Sequence, residues 1–165
     1  MKLRKGDILC VRSRHIVGWF IRWATKGKVD HIAHYLGRNL IIETRFGTGV
    51  VITQLDTLKK CKVYIARVKK ATKKDIETVS EWLYEQVGER YDGIQILTML
   101  WHRIANTLHR RTYADPRDLD VCSSLLAEAW TRQGFDFNEY IHTNNMSPND
   151  IYTSKIVDIK GELYE

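Results

Sequence analysis

The residue of this chain that is best placed to act as a nucleophile is Cys122. A polar stretch, 110–120, leads into an apolar pattern with helical spacing that includes Leu125, Ala129 and Trp130 and ends before Gly134. The pattern predicts a helix with Cys122 in its first turn, where unpaired N–H groups and the helix dipole favour a thiolate. A buried, unreactive cysteine would fit the same pattern, so a catalytic interpretation requires a base elsewhere in the chain.

Histidine is the natural partner for such a thiol because its pKa lies near neutrality. His31 and His34 both fall in a predicted strand, where side chains three residues apart point to opposite faces. Glu43, in the next predicted strand, is the candidate for orienting the imidazole. If Ala33 opposes Glu43, the acid shares a face with His31, whereas a slip of one residue places His34 opposite it. The connecting residues 37–39 leave both registers open.

Two non-catalytic roles are open to the same side chains. In the first, the side chains would form a polar cluster within the sheet, with their hydrogen bonds made to one another. A zinc site built from His31, His34, Glu43 and Cys122 would have suitable donor atoms, but the two histidines diverge and no cysteine pair accompanies them. We therefore predict no metal and no cofactor.

The elements that must position these residues are mostly strands in the first half of the chain and helices in the second. Strands are predicted at 8–11, 30–36, 40–44, 49–53, 62–68 and near 155–159, and helices at 13–26, 72–88, 94–108, 122–133 and after Ser147. Thr72 with Asp75, and Ser147 with Asp150, are predicted capping pairs. This order predicts an α+β domain whose antiparallel sheet packs against helices.

Composition sets the remaining bounds. The 165 residues fit one domain, 1–165, in which 94–120 is predicted to be an insertion or lid. Three widely spaced cysteines indicate a reducing compartment, with Cys10 and Cys61 predicted to lie in the core. Without a signal peptide or a membrane span, we expect a cytoplasmic protein as synthesised, with export by another route left open. The net charge of +6 favours an anionic polymer or lipid surface, and no specific nucleic acid is predicted.

Taken together, the motifs resemble those of the permuted papain-like cysteine hydrolases, the NlpC-type superfamily, and in particular its YiiX-like branch, which is related to lecithin retinol acyltransferase. The matching stretches are Gly6–Leu9, the aromatic residues Trp19, Phe20 and Trp23, Asp30–Gly37, Ile41–Thr44 with Gly49–Val50, Gly88–Asp92, Cys122–Ala129 and Ser147–Asp150. The resemblance implies a circularly permuted papain-like fold, in which a half-barrel sheet packs against helices and the nucleophile begins a helix. It also shows one departure, since His34 stands where the family usually has an aliphatic residue.

By the same resemblance, Cys122 is the nucleophile, His31 the general base and Glu43 the group that orients the base. Three further residues are candidates for the cleft or for an alternative base: Tyr35, His34 and Tyr91. The implied enzyme is a cysteine peptidase or amidase that forms an acyl-thioester with an amide or ester substrate.

Cell-wall peptide (peptidoglycan) is the substrate that the family analogy suggests. A lipid-directed acyltransferase or esterase is an alternative, which the predicted helix at 94–108 with Trp101 and the positive charge favour. A non-catalytic basic binding module is a third possibility. The order of attack by iodoacetamide on the three thiols would distinguish the enzyme from the module.

Overall fold

The computed structural model describes residues 2–45, 47–89, 121–141, 143 and 146–164. This part of the chain forms a six-stranded antiparallel sheet in the order β4-β3-β2-β1-β5-β6. The strands are β1 (Ile8–Arg12), β2 (His31–Gly37), β3 (Leu40–Arg45), β4 (Gly49–Gln54), β5 (Lys62–Val68) and β6 (Val157–Glu162). The predicted α+β class with an antiparallel sheet is confirmed, while the predicted insertion at 94–120 lies outside the described residues.

Four α-helices and one short 3-10 helix accompany the sheet in the described residues. They are α1 (Ile16–Thr25), α2 (Lys73–Glu85), α3 (Val121–Thr131), α4 (Pro148–Thr153) and the 3-10 helix Leu55–Leu58. Both predicted capping boxes are present: Thr72 and Asp75 cap α2 reciprocally, and Ser147 and Asp150 do the same for α4. Within the described ranges, no helix is both long enough and apolar enough to cross a bilayer.

Alternation along the strands gives the sheet two apolar faces. The first face, which includes Ile8, Ile32 and Ile42, packs against α2, α3 and α4, and Leu126 and Trp130 of α3 join it in one core cluster. The second face is smaller, is covered in part by the 3-10 helix, and includes Leu9, Ala33, Ile41 and Ile65.

The two cysteines that were predicted to be core residues differ in burial. Cys10 is fully buried in the first cluster, as expected. Cys61 is only partly buried, which corrects the prediction. It lies in the turn just before β5 and packs at the margin of the second cluster, because the strand that would have enclosed it begins one residue later.

The β2–β3 hairpin contains an irregularity that decides its register. Its two loop residues, Arg38 and Asn39, both have positive φ (48° and 65°), as in the type I′ turns of tight hairpins. Next to the loop, Gly37 pairs with Leu40, but Tyr35 pairs with Ile41. One residue of β2, between Tyr35 and Gly37, therefore has no pairing partner on β3. This bulge shifts every pair beyond it by one residue.

Candidate active site

The bulge brings Glu43 to the face of the sheet that carries His31. Beyond it, Ala33 pairs with Glu43, so the acid shares a face with His31 and not with His34. His31 Nε2 lies 2.8 Å from Glu43 Oε2. Without the bulge, the turn would have continued the pairing that places His34 opposite Glu43. The structure thus selects the first of the two registers that the sequence left open.

The carboxylate of Glu43 is buried and held on both oxygens. While Oε2 accepts from His31, Oε1 accepts from Arg45 Nε at 2.9 Å and from Thr53 Oγ1 at 2.8 Å. Burial alone would raise the pKa of Glu43, but the hydrogen bonds from His31 and Thr53 and the nearby charges lower it below the usual value. Glu43 is therefore a fixed, charged acceptor at neutral pH.

The side chain of Cys122 interacts with His31 and is one of the groups that raise the pKa of the imidazole. Because Glu43 occupies Nε2, Nδ1 is the ring nitrogen that remains for the thiol. Burial alone would lower the pKa of His31, but its interactions with Cys122 and Glu43 outweigh burial and raise the pKa to about 10. At neutral pH the imidazole is consequently protonated. A protonated imidazole beside a sulfur favours the thiolate form.

Cys122 is the second residue in the described range of α3 and is partly buried. It lines a narrow cavity of about 10 Å³ together with Glu43, Thr44 and Leu125. The side chain of His31 is 22% exposed. The sulfur and the imidazole are thus set at the edge of the packed interior and not inside it, which a reaction with an external substrate requires.

His34 also lines this cavity, but its ring points into the interior and is hydrogen-bonded elsewhere. Its Nε2 lies 3.2 Å from Ser80 Oγ, whose own hydrogen is donated to the carbonyl of Ile76 at 2.7 Å. The Ser80 hydroxyl can therefore only accept a hydrogen bond from His34. The ring thus carries its proton on Nε2, and Nδ1 is unprotonated. Burial, with a smaller contribution from the charge of Lys5, lowers the pKa of His34 to about 3. The role of alternative base, predicted for His34, is corrected: the ring faces Trp130, on the other side of the sheet.

The buried His34 should make the fold sensitive to mild acid. Its pKa is lower in the folded protein than in the unfolded chain, where it is about 6.5. The unfolded state therefore binds the additional proton, and stability is lost as the pH falls from about 6.5 towards 3. We expect this residue to contribute a loss of about 1 kcal/mol per pH unit across that window.

Urea unfolding at several pH values, for the wild type and for His34→Gln, measures this contribution. The variant should be less stable at neutral pH because its side chain cannot reproduce the contacts of the ring, and it should have the shallower slope. His15→Gln, at an exposed position, is the matched control and should keep the slope of the wild type. Equal slopes for all three proteins would contradict the prediction.

The two tyrosines that were predicted as cleft residues have different outcomes. Tyr35 lies four residues along β2 from His31, about 13 Å away at the usual rise of a strand. It packs against the second cluster, and its hydroxyl accepts from the N–H of Asn39 at 3.4 Å. Tyr35 is thus a packing residue here, and its place in a cleft stays a prediction. Tyr91 lies outside the described residues.

Two residues that orient the acid, Arg45 and Thr53, were missed from the sequence. Arg45 could have been found, because residues two apart on a strand share a face and it follows Glu43 at that spacing. Thr53 could not, since its place depends on the β3–β4 register, in which Ile41 pairs with Thr53 and Glu43 with Val51. Both residues strengthen the case for a carboxylate that is held in one position.

Among the described residues, the four side chains that the sequence offered for zinc are not arranged as a metal site. In the part of the chain that the structure describes, no group of three or more His, Cys, Asp or Glu residues could hold one. His31 and Glu43 are in direct hydrogen-bond contact, and His34 faces away from both. The four-residue zinc set considered for the sequence is therefore not assembled.

Comparisons with known proteins give a likeness in fold. No protein-family model matches the chain, and no curated protein matches it. Among solved structures, the chain is similar to the metalloprotein yiiX from Escherichia coli O157:H7, DUF1105, with a TM-score of 0.70 and 14% sequence identity. The match covers 98% of this chain and 98% of that one. This likeness supports a YiiX-like fold over the whole length and, at such low identity, carries nothing about chemistry.

Proposed function

We propose that this protein is a cysteine hydrolase, a peptidase or amidase that acts through an acyl-thioester. The observation that carries the proposal is that His31, hydrogen-bonded to Glu43, also interacts with the side chain of Cys122. A thiol, an imidazole and a group that fixes the imidazole are the three parts that nucleophilic catalysis by cysteine requires. The resemblance to NlpC-type hydrolases assigns the same roles to the same three residues.

In the first half of the proposed reaction, His31 holds the proton of the Cys122 thiol, and the sulfur attacks the carbonyl carbon of the substrate. The resulting oxyanion would be stabilised by the backbone N–H of Cys122, if that group is free at the start of its helix as the sequence predicts. His31 then gives the proton to the leaving amine or alcohol, which departs as the C–N or C–O bond breaks. The acyl group remains on sulfur.

In the second half, water attacks the thioester and His31 accepts a proton from it. The C–S bond breaks, the acid product leaves and the proton returns to the thiol pair. Glu43, held by Arg45 and Thr53, keeps the ring in one orientation and balances its positive charge throughout. Because the pKa of His31 is raised to about 10, Cys122 and His31 begin the cycle with the proton already on the imidazole ring.

Cell-wall peptide is the substrate that we propose on the strength of the family resemblance. A second candidate, a lipid-directed esterase or acyltransferase, would use the same three residues and is favoured by large apolar side chains that α1 exposes to solvent. A substrate panel of peptidoglycan fragments and phospholipid vesicles, read by mass spectrometry of the products, separates the two candidates.

The reactivity of the thiols tests the proposal without knowledge of the substrate. With iodoacetamide at about pH 6, we expect Cys122 to react at least about tenfold faster than the other two cysteines, because thiolates are the reactive form. Burial raises the pKa of both Cys10 and Cys61, which keeps these thiols protonated. Peptide mapping after timed quenching gives the three rates. Equally slow labelling of all three would favour a non-catalytic binding module.

A further inference from the structure

Helix α1 presents its large apolar side chains to solvent. Five of its residues are between 40% and 75% exposed and form one stripe: Ile16, Val17, Trp19, Phe20 and Trp23. On a surface helix of a globular domain, such a stripe ordinarily faces the core. A contiguous exposed patch of large apolar residues marks a surface that binds something.

The opposite side of α1 is fixed to the domain by close and polar contacts. Gly18 is buried, and a Cβ atom at this position would lie 2.1 Å from Ser13 Oγ and 2.3 Å from Asp30 Oδ2. Arg22 forms an ion pair with Asp30 and donates to the carbonyl of Ser13 at 3.1 Å. These contacts set the rotation of the helix about its axis. The apolar stripe is consequently directed away from the domain.

The surroundings of the stripe are positively charged. Between Asp7 and Asp30 the sequence has five Lys and Arg residues and no acidic residue. Arg12, Arg14 and Lys26, which flank the helix at its two ends, are exposed. The whole chain carries a net charge of +6. The surface that α1 binds should therefore offer an apolar layer to the stripe and negative charges to the cations that flank it.

We propose that the stripe of α1 docks on the surface of an anionic lipid bilayer. Tryptophan is enriched at membrane–water interfaces, and helices with an apolar face and basic flanks lie in the plane of the interface. A second copy of this chain fits less well, since docking the two stripes would bring two sets of cations together. The inference does not depend on the chemistry proposed for Cys122, which thiol labelling tests separately.

Docking through α1 would also orient the candidate active site. The helix connects β1 to β2 and leaves β1 at the end where Val11 pairs with His31. His31 is the first residue of β2. The end of the sheet that carries the imidazole is thus the end from which α1 projects, so it would face the bilayer.

Vesicle binding by the full chain tests the proposal. We expect co-sedimentation with vesicles of phosphatidylcholine mixed with phosphatidylglycerol, weaker binding to phosphatidylcholine alone, and weakening by about 0.5 M salt. Replacing Trp19 and Trp23 together by serine should reduce partitioning by about tenfold or more, because both rings lose the apolar area that they would bury. The matched control replaces Tyr84 and Tyr140, exposed aromatic residues outside the stripe, by serine and should bind as the wild type does.

A charge series completes the test. Arg14→Gln with Lys26→Gln should weaken binding to the anionic vesicles several-fold, whereas Lys73→Gln with Lys74→Gln, at exposed positions on α2, should have little effect. Since all the replaced side chains are exposed, circular dichroism should give unchanged melting temperatures. Absence of vesicle binding, equal loss in the stripe and control variants, or a dimer in sedimentation velocity that the stripe variant abolishes would each overturn the proposal.

Discussion

Replacing His31 by alanine should slow the alkylation of Cys122 at about pH 6 by about a hundredfold, because an ordinary thiol with a pKa near 8.5 is almost fully protonated there. In the wild type, the protonated imidazole beside the sulfur supplies the stabilisation that the variant lacks. The pH profile identifies the cause. The rate of the variant should rise about tenfold per pH unit from about pH 6 to 8, and the wild-type rate should depend less steeply on pH.

His34→Ala is the matched control for this experiment. It removes the other histidine of β2 but leaves the hydrogen bonds of His31 intact, since the two rings lie on opposite faces of the sheet. We expect it to lower stability and to leave the alkylation rate of Cys122 within about twofold of the wild type. The reverse pattern, with His34→Ala abolishing reactivity, would transfer the role of base to His34.

Replacing Cys122 by alanine should abolish acyl transfer, with a loss of at least about ten-thousand-fold in turnover, because the proposed acyl intermediate forms on its sulfur. The measurement is hydrolysis of an activated ester and of peptidoglycan fragments, with intact-mass detection of an acyl adduct in the wild type. Cys61→Ala, which removes a thiol near the same imidazole, is the control and should keep full activity. Turnover that survives in Cys122→Ala would exclude the cysteine mechanism.

The sequence predicted the elements well and left open the relation between them. Strict alternation predicted β5 at the range that the structure has, Lys62–Val68, and hydrogen-bonding residue types predicted both capping boxes. These features are local, so that the residues which determine them lie next to each other in the chain. Register is different, because it depends on how two strands meet.

The bulge in β2 shows why the partner of Glu43 could not be predicted. Which histidine meets the acid depends on whether one residue between Tyr35 and Gly37 is skipped in the ladder. Gly37, with a φ of 94°, is compatible with a bulge but does not require one, and the turn geometry by itself favours the other register. The contact between Cys122 and His31 was beyond sequence patterns for a similar reason, since it arises from the packing of a helix that is remote in the chain.

The orientation of α1 is the third feature that pattern alone could not give. The sequence predicted a helix at 13–26, and the structure has one at Ile16–Thr25, where Ile16, Phe20 and Trp23 recur at helical spacing. The same spacing normally predicts which side faces inward. Here the ion pair of Arg22 with Asp30 and the close approach at Gly18 determine the rotation, and both depend on tertiary contacts.

The separation of the three candidate catalytic residues along the chain bears on when reactivity arises during synthesis. His31 and Glu43 belong to one hairpin near the N-terminus, and neighbouring strands can pair as soon as they leave the ribosome. Cys122 is made much later, and its sulfur meets the imidazole only when α3 packs across β2 and β3. We expect the nascent chain to carry an assembled imidazole–carboxylate pair before the proposed nucleophile exists. A ribosome-bound fragment that ends before α3 would therefore lack the sulfur on which the acyl intermediate is proposed to form.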